Sequence, residues 1–225
     1  MGSVGLLYVG AVLFVNGIML LGWAEGKSVA PMNLFVGALQ VITPTYLIFT
    51  AHGTPHQVQN QILGASGLYL FGFTYLYVAI TLLANLDSTG GGWFYGFVAV
   101  CAVVFAGLNF WRPGFGDSAF GVIWLSWAFL WALFFILLAL KNGTIGRYTG
   151  SVAAIEGIVT GLIPAFLLLT GNWAQHTKWY ATALAIFMVI VFALLYPQLR
   201  ERAAASPEQP APDPAPGGVA VESTT

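Results

Sequence analysis

The 225-residue chain is 58% hydrophobic and only 7% charged, with a mean hydropathy of +0.82. Soluble domains carry about 25% charged residues, so a water-soluble fold is excluded. A net charge of −1 excludes a nucleic-acid partner, and the single cysteine, Cys101, excludes a disulfide framework or a thiolate metal site.

Crossing a hydrocarbon core of about 30 Å takes roughly 20 mostly apolar residues in a helix. Runs of that length fall at about 4–23, 32–51, 62–86, 93–111, 119–140, 151–170 and 179–196. The first is expected to stay as a membrane span and not to be removed as a signal peptide, because Met1 to Leu7 contains no Lys or Arg and the apolar run continues to about Trp23. Short polar or Gly/Pro-rich connectors separate the runs, among them Glu25-Gly-Lys27, Ser88-Thr-Gly-Gly-Gly92 and Arg112-Pro-Gly-Phe-Gly-Asp117. The reading is an all-α integral membrane protein: a six-helix unit over 1–175, a seventh transmembrane helix over 176–199, and a tail over 200–225.

Basic residues are retained on the cytoplasmic side, and they orient the bundle. With the N-terminus outside, Lys27, Lys141, Arg147, Arg200 and Arg202 lie inside, and only Arg112 and Lys178 lie outside. The Pro- and Ala-rich segment 203–225 lacks the apolar content to fold and is expected to be a disordered cytoplasmic tail.

In chain order, the polar and aromatic residues within the spans begin with Asn16. It shares one helical face with Val9 and Leu13, and its amide can either face a pore or bond across helices. The third span carries Phe71 and Tyr75 at i and i+4, with Thr74 beside them. Gly92 and Gly96 in the fourth span and Gly157 and Gly161 in the sixth form Gly-x-x-x-Gly motifs, read as packing contacts.

In the fifth span Trp124, Trp127 and Trp131 repeat at i, i+3 and i+7, and Phe120, Phe134 and Phe135 extend the stripe. Tryptophans at span ends suit an interfacial belt, but Trp127 and Trp131 lie mid-span, where an indole N–H needs a partner. Pore lining is therefore weighed above packing for those two. Glu156 is the clearest ionisable group inside a span. It reads either as functional or as a hydrogen-bonding anchor between helices, since an uncompensated acid at mid-membrane costs about 2.5–3.5 kcal/mol even on insertion scales.

Aromatic walls with a few hydroxyl, amide and indole groups suit a planar neutral solute. Stripping an amide of water without replacement hydrogen bonds costs roughly 4–8 kcal/mol, and a few polar groups along a narrow path remove much of that barrier. No ring of charges or carbonyl filter for an ion is evident in the sequence.

Several segments carry a family resemblance: Leu6-Leu-Tyr-Val-Gly10 through Asn16-Gly-Ile18, Met32-Asn-Leu-Phe-Val-Gly37, Leu70-Phe-Gly-Phe-Thr-Tyr-Leu-Tyr77, Ile123-Trp-Leu-Ser-Trp127 with Leu130-Trp131, and Ala154-Ile-Glu-Gly157 with Ile163-Pro164. In order across the first six spans, they resemble the amide transporter and acid-activated urea channel family (AmiS/UreI). The resemblance implies a six-helix protomer that conducts through its own pore in a hexameric ring, a homohexamer. The pore residues it implies are Val9, Leu13, Asn16, Phe71, Tyr75, Trp124, Trp127, Leu130, Trp131 and Glu156.

Two features depart from the acid-gated member of that family. The first outer loop is short, about Ala51 to Gln61, and holds only His52 and His56, so strong acid gating is not expected. The seventh span is the second departure, and it carries the C-terminus inside.

The expectation is a passive channel in the cytoplasmic membrane for urea, acetamide and other short aliphatic amides. The alternative is a proton-coupled secondary transporter, hinted at by Glu156, Pro44 and Pro164. A retinal protein would need an intramembrane lysine, which the last span lacks. No nucleophile–base pair, metal cluster or nucleotide loop supports an enzyme, and no cofactor is expected.

Overall fold

The computed structural model describes residues 2–199; Arg200, Arg202 and the tail at 203–225 lie outside the described residues. Within them the chain folds into seven helices long and apolar enough to span a membrane. The first five are α1 (Gly2–Leu20), α2 (Gly26–Phe49), α3 (Pro55–Ala84), α4 (Thr89–Trp111) and α5 (Ser118–Leu138). The sixth, α6 (Gly143–Leu169), is composite, and α7 covers Trp173–Leu199.

Several helices begin earlier than their apolar runs because polar residues start them. At α3, Thr54 accepts a hydrogen bond from the Gln57 N–H while the Gln57 side chain accepts one from the Thr54 N–H, and Pro55 fills the first turn. This capping box satisfies donors that would otherwise be orphaned, and proline costs nothing where no N–H is needed. Asp117 likewise caps α5 by accepting the Phe120 N–H at 2.9 Å. Helix α2 runs unbroken through Pro31 and Pro44, so Pro44 does not mark a discontinuous helix.

Pro164 does coincide with an irregularity. In α6 an α-helical stretch, Gly146–Glu156, passes into a π-helical turn, Gly157–Leu162, and then into Ile163–Leu169. The Ile163 N–H bonds to Ile158 O, five residues back. Proline has no N–H for the carbonyl four residues earlier and its ring crowds that turn, so a wider turn relieves both problems.

The helices pack as three close pairs, α1 with α6, α2 with α3, and α4 with α5. Hydrocarbon supplies no hydrophobic drive between helices, so close backbone approach through small residues carries the packing. Along α1, a Cβ built on Gly10 would lie 2.6 Å from Gly157 O, and one on Gly17 would lie 2.5 Å from Gly150 O. In the α4–α5 pair, Gly92 meets the Ala139 backbone and Gly96 meets the Phe135 ring. Helix α7 lies outside the pairs, against α5 and α6. Phe192 stacks on Phe129 with ring centroids 5.7 Å apart, and the hydroxyl of Tyr180 donates to Val159 O.

Candidate conducting site

Two cavities enter the bundle from opposite ends. The larger, about 620 Å³, opens where the α1–α2 and α3–α4 connectors meet, with Glu25, Lys27, Asn85 and Ser88 at its mouth. The smaller, about 320 Å³, opens beside Gly2, Ser3, Phe115 and Gly116. Phe71 and Trp127 border both, so they form the partition between them. The Phe71 ring lies 4.7 Å from Trp127, 4.8 Å from Trp131 and 5.8 Å from Trp124, centroid to centroid. Edge-to-face and tilted contacts of this kind hold aromatic rings in place beyond what burial alone supplies.

The structure sorts the sequence-predicted residues by cavity. Leu13, Asn16, Tyr75, Leu130 and Trp131 border the larger one, and Val9 and Trp124 border the smaller. Of the stripe's extensions, Phe134 borders the larger cavity and Phe120 the smaller. Phe135 instead packs edge-on against Trp93 of α4, with centroids 5.2 Å apart.

Three predicted groups have more specific surroundings. Asn16 does both things its amide allowed: it borders the larger cavity and forms a reciprocal pair with Asn33 of α2. Its Nδ2 donates to Asn33 Oδ1 at 2.9 Å, and Asn33 Nδ2 donates to Asn16 Oδ1 at 2.7 Å. Trp127 finds its partner inside the protein, since Nε1 donates to Thr160 Oγ1 at 2.9 Å and that hydroxyl donates to Glu156 O at 2.6 Å. The indole N–H therefore ties α5 to the π turn of α6, leaving the ring to face the cavities.

Glu156 borders neither cavity. It is fully buried, and neither carboxylate oxygen has a hydrogen-bond partner among the described residues. It lies close enough to Tyr75 and Tyr148 to interact electrostatically. The residue after it, Gly157, packs against Gly10 of α1.

Sequence reasoning passed over several polar residues, Asn33, Gln40 and Thr160 among them. Asn33 and Gln40 are both fully buried and lie seven residues apart on α2, hence on one face. The rule that singled out Asn16, an amide inside an apolar span, would have found them. Thr160 carried no comparable signal, because its role depends on the π turn.

Seven apolar helices, six of which contribute residues to or beside two cavities that meet at an aromatic partition, define a multi-pass membrane transport protein. The family model for AmiS/UreI family transporters matches residues 1–172. A Rhodococcus erythropolis protein that carries the name of a transporter, AmiS2, is 53% identical over 79% of this chain and 82% of its own. A Mycolicibacterium smegmatis protein named for the transport of amidate substrates is 46% identical over 94% of this chain and 96% of its own. A solved structure of the Helicobacter pylori urea channel in a closed state superposes with a TM-score of 0.69 at 38% identity, over 77% of this chain and 100% of that one. The chain belongs to the AmiS/UreI family.

The family match stops one residue before α7 begins, and no residue of α7 borders either cavity. Ending the chain after Asn172 should therefore leave solute flux in liposomes within about twofold of the full chain. The midpoint of thermal unfolding should fall by several degrees as the α7 packing is lost. Loss of flux from well-assembled truncated protein would show that α7 belongs to the conducting unit.

Proposed function

We propose that this protein is a passive facilitator for urea and short aliphatic amides such as acetamide in the cytoplasmic membrane. The observation that carries the reading is the aromatic partition between two cavities that open at opposite ends of the bundle. Aromatic faces flanked by a few amides and hydroxyls fit a flat neutral solute, whereas an ion would need rings of charge or carbonyls. The relatives point the same way, one named for amidate substrates and another for urea. The homohexamer and the outward-facing N-terminus, with the C-terminus cytoplasmic, belong to this reading on the resemblance and the Lys/Arg distribution.

Strong acid gating is not part of it. His52 and His56 are exposed and border neither cavity. Hydrogen bonds from Thr89, and secondarily the nearby Lys141, hold the Asp87 carboxyl below the usual carboxylate range. A lowered value keeps Asp87 ionised from pH 7.5 down to pH 5, so this connector does not change charge over that window.

One observation favours a second reading, a proton-coupled transporter: the buried, partnerless Glu156 beside Tyr75, which borders the larger cavity. Flux of radiolabelled acetamide and urea into liposomes separates the two. A facilitator should equilibrate either solute without accumulating it, should be indifferent to an ionophore, and should vary less than about twofold between pH 5 and pH 7.5. Accumulation that an ionophore collapses would establish coupling, and a steep rise at low pH would establish gating.

A further inference from the structure

Gln40 is an amide that the fold has buried without a partner. It is fully inaccessible, borders the smaller cavity, and neither Oε1 nor Nε2 has a hydrogen-bond partner among the described residues. Leaving a buried polar group unpaired costs about 1–3 kcal/mol, so its retention calls for an explanation. The other buried partnerless side-chain groups, those of Tyr75 and Glu156, do not border this cavity. Asn109, which does, has its Nδ2 occupied by Phe105 O at 2.8 Å.

We propose that the Gln40 carboxamide, which lies just behind the cavity surface, turns into the smaller cavity as a recognition subsite for a primary amide, pairing with the solute's C=O and N–H on that side of the Phe71–Trp127 partition. The inference rests on the facilitator reading and adds to it the group that selects amides. The pairing it requires already occurs in this protein: Asn16 and Asn33 bind each other through two reciprocal amide hydrogen bonds of 2.9 and 2.7 Å. That pair is satisfied, whereas Gln40 is the same chemistry with half of the pair missing. Acetamide and urea each present a carbonyl and an N–H on one edge, which is the complement of a carboxamide. Two hydrogen bonds at this point would replace part of the water that the solute loses before the aromatic partition.

The neighbouring backbone accommodates the amide. A Cβ on Gly5 would lie 2.7 Å from Gln40 Nε2, so glycine at this position of α1 leaves the room that the side chain occupies. This supplies two independent ways to disturb the subsite. Gln40→Met keeps the volume and removes the amide, and Gly5→Ala keeps the amide and displaces it.

The full chain in liposomes is measured by stopped-flow swelling with acetamide and with glycerol, a small neutral solute that has no amide. In Gln40→Met the acetamide-to-glycerol permeability ratio should fall about tenfold, the size expected for losing one net hydrogen-bonding pair. In Gly5→Ala it should fall by about threefold. An unchanged ratio in Gln40→Met overturns the proposal. So does an equal loss of both solutes, which would mark Gln40 as structural. Failure of both variants to insert overturns it as well, because removing a partnerless amide should not cost the fold. Wild-type protein that passes no acetamide above empty liposomes would bring down the facilitator reading itself, an outcome distinct from a wild-type channel whose selectivity ignores Gln40.

Discussion

Phe71→Ala should join the two cavities and weaken solute discrimination. Phe71 is one of two side chains that both cavities share, and it sits within 5.8 Å, centroid to centroid, of all three tryptophans of the α5 stripe. Removing its ring leaves Trp127 as the remaining shared wall. Acetamide flux should rise severalfold, and the preference for acetamide over a bulkier amide such as butyramide should shrink by tenfold or more. Phe71→Leu, which keeps an apolar plug, should change the preference much less. Truncating a buried phenylalanine typically costs about 3–5 kcal/mol of stability, so the comparison must be made on protein shown to be assembled. If assembled Phe71→Ala retains the wild-type preference, the solute path does not pass between Phe71 and Trp127.

Gly10→Leu should abolish folding. A Cβ at Gly10 would lie 2.6 Å from Gly157 O and 2.8 Å from Leu162 N. Both are backbone atoms, so no side-chain rotation relieves the clash and α1 must separate from α6. That separation would also disturb the π turn and the Thr160 hydroxyl that receives the Trp127 indole N–H. A loss above about 4 kcal/mol is expected, in the range reserved for disrupted cores and backbone. Gly143→Ala is the control, because its Cβ would meet nothing within 4 Å, and it should change stability by less than about 0.5 kcal/mol. The readout is the yield of monodisperse detergent-solubilised protein and its thermal unfolding midpoint. Near-normal yield of Gly10→Leu would mean that the α1–α6 seam is looser than the structure shows.

The two variants probe features of different visibility in the sequence. The stripe of Trp124, Trp127 and Trp131 follows from helical periodicity alone, and two of its three phenylalanine extensions reach a cavity. Phe135 does not, because helical spacing identifies a face without saying how wide the neighbouring helix makes it, and Gly96 lets α4 come up against that ring. The destination of the Trp127 N–H was equally out of reach. Periodicity located a donor needing a partner, and only the packing of α5 on the π turn supplied Thr160.

By itself the sequence determined that this protein spans the membrane seven times, that its interior is aromatic and nearly uncharged, and which family it resembles. Those properties depend on apolar length and local periodicity, which the bilayer and the helix impose residue by residue. The tertiary structure alone decided that two cavities meet at Phe71 and Trp127, that Glu156 borders neither, that Asn16 is paired, and that Gln40 is not paired among the described residues. Each of these depends on which helices approach each other and how closely, and glycines far apart in the chain set that distance, as Gly10 and Gly157 do.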